Sequence, residues 1–244
     1  MKGKKRHYIK KSILYLSVAL LCFLICISTF FGIKGYMMYK EAISQTPIEE
    51  TVNTIRNEEH FTKYSELPDF YINAVISVED HRFMNHPGFD LIAICRAALA
   101  DIKSLSFKEG GSTITQQLVK NLFYTQDKTL ERKAAEIFAV LDMEGKYSKE
   151  EIFELYVNTI NFGSGYHGIY YASIGYFEKE PSELTNSESA ILAGLPNAPS
   201  EYSPDTNTSL TSQRTQQVLD SMVRNRLLTQ DEANSLRALW PGQE

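Results

Sequence analysis

From Ile13 to Ile33 the chain runs 21 residues without a charge, dominated by Leu, Ile, Phe, Val, Ala and Cys. As an α-helix rising 1.5 Å per residue, this run spans roughly 30 Å, the thickness of a bilayer's hydrocarbon core. Lys2, Lys4, Lys5, Arg6, Lys10 and Lys11 precede it. That asymmetry holds residues 1–12 in the cytoplasm as a basic tail and sends the rest of the chain across. A cleaved signal peptide is the alternative, but 21 apolar residues are long for its apolar region, and no small-x-small cleavage site follows at Phe30–Lys34. The expectation is one uncleaved transmembrane helix over 13–33 with the main domain outside.

The formal net charge of −5 conceals a division. Residues 1–40 hold eight of the 25 Lys and Arg and no acid, which leaves 17 basic against 30 acidic side chains, a net of −13, for the remainder. A nucleic-acid-binding domain would be basic, so that class is excluded. Cations that do cluster in the acidic part are informative, and Lys120, Lys128, Arg132 and Lys133 fall close together. Of the cysteines, Cys22 and Cys26 lie in the apolar run, and Cys95 alone cannot form a disulfide within the exported part. Packing must hold that part together, and its roughly 200 residues suffice for one core or for two lobes sharing a cleft.

Glu41–Phe61 is polar and broken by Pro47, so residues 34–63 read as a stalk and the compact domain as 64–244. From Tyr64 onward the apolar period is mostly 3.6 and few segments alternate long enough for strands; the domain is expected to be mainly α. Phe70, Ala74, Val75 and Val78 form an apolar stripe on a helix carrying Glu79 and Phe83 one turn apart, ended by Pro87 and Gly88. Leu91, Ile92, Ile94, Cys95, Ala98, Leu99 and Ile102 describe a greasy second helix, whose plain reading is core and whose sharper reading is contact with the bilayer. Thr113-x-x-Gln116 is a capping box that opens a third helix after Gly110 and Gly111. On it Thr113, Gln117 and Lys120 share one face, Gln116 lies beside them, and Ile114 and Leu118 face the other way. Thr129, Ser148 and Thr185 open further helices. Asn161–Ile169, rich in glycine and aromatics, suits sugar stacking or close helix packing better than dinucleotide binding. Two last helices are expected at 211–226 and 229–239.

The chemistry concentrates in Glu79-Asp80 and in the amide- and hydroxyl-rich face some thirty residues later. Carboxylates accept protons, while amides, hydroxyls and lysine suit a polyanionic, sugar-bearing substrate. The pattern reads as an enzyme acting on a phosphorylated glycan.

Glu79-Asp80-x-x-Phe83-x-x-His86-x-Gly88-x-Asp90, Gly110-Gly111-Ser112-Thr113-Ile114-Thr115-Gln116-Gln117-Leu118-x-Lys120-Asn121, and Arg132-Lys133-x-x-Glu136 follow one another. Glu154-Leu155-Tyr156-x-Asn158 and Leu192-Ala193-Gly194-Leu195-Pro196-x-Ala198-Pro199 come next. Over residues 64–204 the chain thereby resembles the peptidoglycan glycosyltransferases, membrane-bound enzymes that polymerise lipid II and also form the N-terminal domain of bifunctional penicillin-binding proteins. The resemblance implies a lysozyme-like, two-lobed helical domain on the outer face of a bacterial cell membrane. It implies Glu79 as general base for the acceptor's 4-hydroxyl, with inversion at the donor sugar and release of undecaprenyl pyrophosphate. It places Lys120, Lys128, Arg132 and Lys133 around the pyrophosphate. Ser112, Thr113, Gln116, Gln117 and Asn121 would line the donor side. Glu136, the second family glutamate, would orient the cations or stabilise the donor. Asp80, Phe83, His86 and Asn158 are supporting residues. A divalent cation, Mg or Mn, at the pyrophosphate is a possible companion, with no cofactor required for certain.

The expected partners are lipid II, the lipid-linked growing glycan and the membrane, with penicillin-binding proteins and division or elongation proteins as possible associates and no nucleic acid. Because the sequence ends at Glu244, without a penicillin-reactive domain, glycan polymerisation without cross-linking is expected. The rival enzyme is a lysozyme-like or lytic transglycosylase, which protonates a sugar leaving group and needs no pyrophosphate nest. A non-catalytic membrane scaffold is the rival from another class.

Overall fold

The computed structural model describes residues 2–96, 111–125 and 129–238. Among them there is no strand, only an isolated antiparallel bridge between Asn161 and His167. Lys128, Gly110 and the latter part of the greasy segment, residues 97–102, lie outside the described residues.

Helix α1 (Lys2–Gln45) is continuous over 44 residues, about 66 Å. Its apolar stretch is bare: Ile13, Leu16, Phe23 and Phe30 are all more than half exposed. This is a surface that water does not tolerate and hydrocarbon does. Beyond Ile33 the helix does not stop. It docks along α5 (Leu130–Lys146), with Gly35 buried against Ala134 so closely that a Cβ there would lie 2.4 Å from the Ala134 Cβ. Tyr36 meets Phe138 edge-on at 5.3 Å, and Tyr39 Oη donates to Asp142 Oδ2 at 2.8 Å.

The expected stalk over 34–63 is therefore not one. Its first part is the docked end of α1, and Ile48–Arg56 forms α2, which buries Ile48, Val52 and Ile55 in the core. These positions recur at helical spacing, and the surrounding acids and threonines mask the stripe in composition. Lys146 ties α2 to α5 by bridging Glu49 at 2.7 Å and Asp142 at 2.9 Å. The compact unit thus begins well before Tyr64.

Helix α3 (Asp69–Glu79) buries Tyr71, Ile72, Ala74 and Val75. It ends at Glu79, a turn earlier than the apolar spacing suggests, because Asp80 leaves the helix at φ −158° and ψ 74°. Phe83 sits in a following 3-10 turn, fully buried beside Phe153. Residues 91–96 are helical, but Leu91, Ile92 and Ile94 are exposed, so the core reading of this segment fails for its described part. Met84 is exposed as well, so these apolar side chains lie outside the core.

Next come α4 (Ile114–Phe123), α6 (Lys149–Thr159), α7 (Ile169–Phe177), α8 (Asn186–Gly194), α9 (Thr208–Arg224) and α10 (Gln230–Ala238). The caps at Thr113, Ser148 and Thr185 all form as boxes, each hydroxyl accepting the N3 amide while the Gln or Glu returns to the cap N–H. Helix α6 buries Ile152, Phe153, Leu155, Tyr156 and Val157, apolar on more than one face because elements pack around it. Two groups result: α3, α8 and α9 pack on one another, and α4 packs on α5 and α6. Glu79, at the end of α3, lies where these groups meet.

Ile48→Ala should lower stability by about 2–5 kcal/mol, the cost of a buried aliphatic truncation. Thermal unfolding of the detergent-solubilised protein would show it; a silent substitution would restore the stalk reading.

Candidate active site

Two adjacent carboxylates part company at the end of α3. Asp80 turns inward: its Oδ2 accepts the Ile114 N–H at 3.1 Å, at the open N-terminus of α4, and both its oxygens lie 2.9 Å from His86 Nε2. His86 Nδ1 accepts the Gly88 N–H at 3.1 Å, so the ring proton belongs on Nε2 and is donated to Asp80. Thr113 Oγ1 donates to the Gly88 carbonyl at 2.7 Å. Gly88 has φ +87°, and a Cβ there would lie 2.4 Å from Val140. Arg82 pairs with buried Asp90, which also accepts the Ala93 N–H at 2.6 Å. The first motif is thus a knot joining α3, the 81–90 loop and α4.

Glu79 faces the other way, into the meeting place of the two helix groups, with 7% of its side chain exposed. Gln117 Nε2 donates to Oε2 at 2.8 Å and Arg214 donates to Oε1 at 3.0 Å. Tyr156 Oη donates to Gln117 Oε1 at 3.3 Å, which fixes the amide with its NH₂ toward Glu79. Arg214 is itself held by the Gly194 carbonyl at 3.1 Å and by Gln217 at 3.2 Å. A Cβ at Gly194 would come within 2.9 Å of Arg214 Cγ, which accounts for the glycine closing α8.

Burial pushes the Glu79 carboxyl above the ordinary carboxylate range; the Gln117 bond and the Arg214 charge pull it back, and Asp80 adds an upward push. The balance stays upward. A carboxylate of this kind is a stronger base than an exposed one, and its two donors favour the ionised form.

One turn along α4 from Gln117 stands Lys120, so one helix face leads from the carboxylate to the cations. Lys120 is half-buried, and burial followed by the charge of Arg132 pushes its ammonium downward. Lys133 is pushed the same way by burial first, then by Arg132 and Lys120. Positive groups that depress one another signal a place where an anion is welcome. Glu136, 1% exposed, binds both Arg132 and Lys133, the latter at 2.9 Å. Its two oxygens are thereby occupied. Among the described residues no group of three or more His, Cys, Asp or Glu is placed to hold a metal ion.

The other residues expected at the site divide. Ser112 and Asn121 are exposed, at the two ends of α4. Thr113 and Gln116 are buried and engaged with each other in the capping box, which makes them part of the scaffold, not its lining. Asn158 clamps the backbone of Thr62 in both directions, at 2.9 and 2.8 Å, and Glu154 accepts the Tyr64 N–H at 2.7 Å. Gly163, Gly165 and Gly168 all have positive φ, and Gly168 lies against the Asn158 carbonyl, which favours close packing over sugar stacking. Arg214 was not legible as a site residue. It follows the last motif in a polar stretch, and only the fold of α9 against α3 brings it to Glu79.

Glu136→Gln should cost about 2 kcal/mol of stability, because Arg132 and Lys133 lose the charge that compensates them while remaining partly solvated. Chemical or thermal unfolding measures this; an unchanged midpoint would show that the cluster needs no internal counter-charge. The Glu79 carboxyl, followed by isotope-edited spectroscopy, should titrate above an exposed glutamate, and Arg214→Gln should raise its midpoint further. A fall would contradict the ion pair.

The profile of the transglycosylase family matches residues 45–223, which begins near the end of α1 and ends within α9. Penicillin-binding protein 1A of Vibrio cholerae is 35% identical over 246 aligned positions covering 95% of this chain and 30% of its own length. Penicillin-binding protein 2D of Bacillus subtilis is 42% identical over 68% of this chain and 24% of its own, and penicillin-binding protein 1A of Aquifex aeolicus is 40% identical over 70% and 24%. The chain spans less than a third of the length of these relatives. A match over most of the folded part leads to one assignment: the chain belongs to the transglycosylase family, the peptidoglycan glycosyltransferases related to the N-terminal part of bifunctional penicillin-binding proteins.

Proposed function

We propose that this protein polymerises lipid II into β-1,4-linked glycan by inverting glycosyl transfer, with release of undecaprenyl pyrophosphate, at the outer face of a bacterial membrane crossed by α1. The observation that carries the reading is the pairing, along one face of α4, of a desolvated carboxylate at Gln117 with a cationic cluster that starts at Lys120. Gln117, which holds the carboxylate, and Lys120, which opens the cluster, are one helical turn apart on α4, about 5–6 Å between Cβ atoms.

Glu79 accepts the proton of the acceptor's 4-hydroxyl as that oxygen attacks the anomeric carbon. Gln117 and Arg214 hold the carboxylate in place before the proton arrives and favour its ionised form. The bond to the diphosphate oxygen breaks on the opposite side of the sugar. Lys120, Arg132 and Lys133 stabilise the charge that grows there, and Glu136 holds Arg132 and Lys133 in position. Lys128 belongs to this cluster by sequence. Charge neutralisation by side chains makes a protein-held metal ion unnecessary to this scheme. Ser112 and Asn121, exposed at the ends of α4, are the remaining candidates for donor contacts.

One observation favours a second reading. A carboxyl pushed upward by burial is also what a lytic enzyme uses as its acid. The two donors on Glu79 favour its ionised form, which suits a base, and the cations suit a diphosphate leaving group.

The protein in detergent should convert lipid II into muramidase-sensitive polymer, and Glu79→Gln should reduce this by at least about 100-fold, the lower range for loss of a general base. Shortening of added glycan with no polymer would establish the lytic reading. Since only the ionised carboxylate accepts a proton, activity should fall as pH drops through the raised Glu79 midpoint. Arg214→Gln removes a downward influence and should move that limb of the kcat/KM profile to higher pH; a shift to lower pH would remove Arg214 from the base's environment.

A further inference from the structure

Arg214 reaches Glu79 across an aromatic ring. Its Cζ lies over the face of Tyr202, 5.8 Å from the ring centroid, inside the range of about 6 Å over which an aromatic face attracts a cation. The three guanidinium nitrogens are taken by Glu79, Gly194 and Gln217, and the side chain is 11% exposed. Hydrogen bonds hold the edge of the group, and the ring limits how far it swings.

Tyr202 is itself held from two sides. It ends the short helical turn Pro199–Tyr202, and its carbonyl accepts Thr211 Oγ1 at 2.8 Å, about one turn of α9 before Arg214. Ser203 follows, fully buried, with its Oγ 2.7 Å from Ser164 Oγ and 3.0 Å from Tyr176 Oη. Tyr176 Oη donates to the Phe162 carbonyl at 3.0 Å. Gly163, at φ +88°, comes so close that a Cβ there would lie 2.4 Å from the Pro199 carbonyl oxygen. The glycine-rich segment 161–168 is thus the backing of the turn that carries Tyr202.

We propose that Tyr202 is a positioning residue for the base: its ring, fixed from α9 and from the glycine-rich segment, keeps the Arg214 guanidinium on Glu79. The proposal rests on Glu79 as proton acceptor and deepens that reading. It gives the 161–168 segment and the Tyr202-Ser203 pair a part in the chemistry without contact with substrate.

The charged and titratable groups that face Glu79 are Arg214 from α9, Asp80 at the end of α3 and the Tyr156 hydroxyl from α6, with neutral Gln117 from α4. Arg214 pulls the carboxyl downward, and burial and Asp80 push it upward. A guanidinium free to leave Glu79 weakens the downward pull, so loss of the Tyr202 ring raises the midpoint.

Titration of the Glu79 carboxyl by isotope-edited spectroscopy, in the full detergent-solubilised chain, tests this without substrate. Tyr202→Leu should raise the midpoint by about 0.4–0.7 pH units, the size of a partly exposed cation–π contact. Tyr202→Phe, which keeps the ring, should leave it in place. In the Arg214→Gln background, Tyr202→Leu should add no shift, because the ring acts through Arg214. Thr211→Val removes the bond that seats Tyr202; it should raise the midpoint as well, and it carries the test if Tyr202→Leu does not fold. The acid limb of kcat/KM should move to higher pH with the midpoint, whereas a merely structural role would lower the rate at every pH alike. An unmoved midpoint, an equal shift in Tyr202→Phe, or a shift that persists without Arg214 overturns the proposal. Absence of polymer with the shift intact overturns glycosyl transfer alone, and polymer formation with the shift absent overturns the role of Tyr202 alone.

Discussion

A carboxylate taken out of water must be compensated, and the way Glu79 is compensated organises the site. Its two oxygens are bound from two directions, by Gln117 on α4 and by Arg214 on α9. Each donor is in turn fixed by a neighbour, Tyr156 for the amide and the Gly194 carbonyl for the guanidinium. The Gln117 bond crosses between the two helix groups, so a shift of one against the other withdraws a donor from the buried carboxylate. An ion pair in such surroundings contributes little net stability but strongly penalises any arrangement that breaks it. The cost of burial is retained as basicity, which is the property a proton acceptor needs.

The adjacent Asp80 shows how neighbouring residues of like chemistry acquire different roles. At the end of a helix, successive side chains point apart, and the extended conformation of Asp80 completes the separation. Asp80 meets an N–H at the start of α4 and a histidine proton, which satisfy it locally. Glu79 meets one amide and one guanidinium, in a space that a ligand hydroxyl can share. Asp80 fixes where α4 begins, and α4 then fixes where Gln117 and Lys120 stand.

A similar economy governs the membrane side. Helix α1 is not joined to the domain by a flexible tether; close contact at Gly35 and the Tyr39–Asp142 bond seat it on α5, the helix that carries Arg132, Lys133 and Glu136. The height of the cationic cluster above the bilayer is then set by helix geometry, about 1.5 Å per residue, instead of by the length of a coil. For a reaction on a lipid-borne substrate, that height is a catalytic coordinate.

The sequence by itself determined the membrane helix, the helical class and the capped starts at Thr113, Ser148 and Thr185, because uncharged length, apolar period and cap chemistry are local properties. It also singled out the Glu79-Asp80 pair and the Lys120, Arg132 and Lys133 cluster, to which the family resemblance added Glu136, and the fold brings Arg132, Lys133 and Glu136 into contact. Tertiary structure decided what local patterns do not encode. It made Ile48–Arg56 part of the core, since an amphipathic helix and a polar linker differ only when a partner surface exists. It turned Thr113, Gln116 and Asn158 into scaffold by burying their polar groups against particular backbone atoms. It brought Arg214 across 135 residues of sequence to Glu79, because the field felt by a buried charge depends on which side chains the fold places within a few ångströms, whatever their distance along the chain.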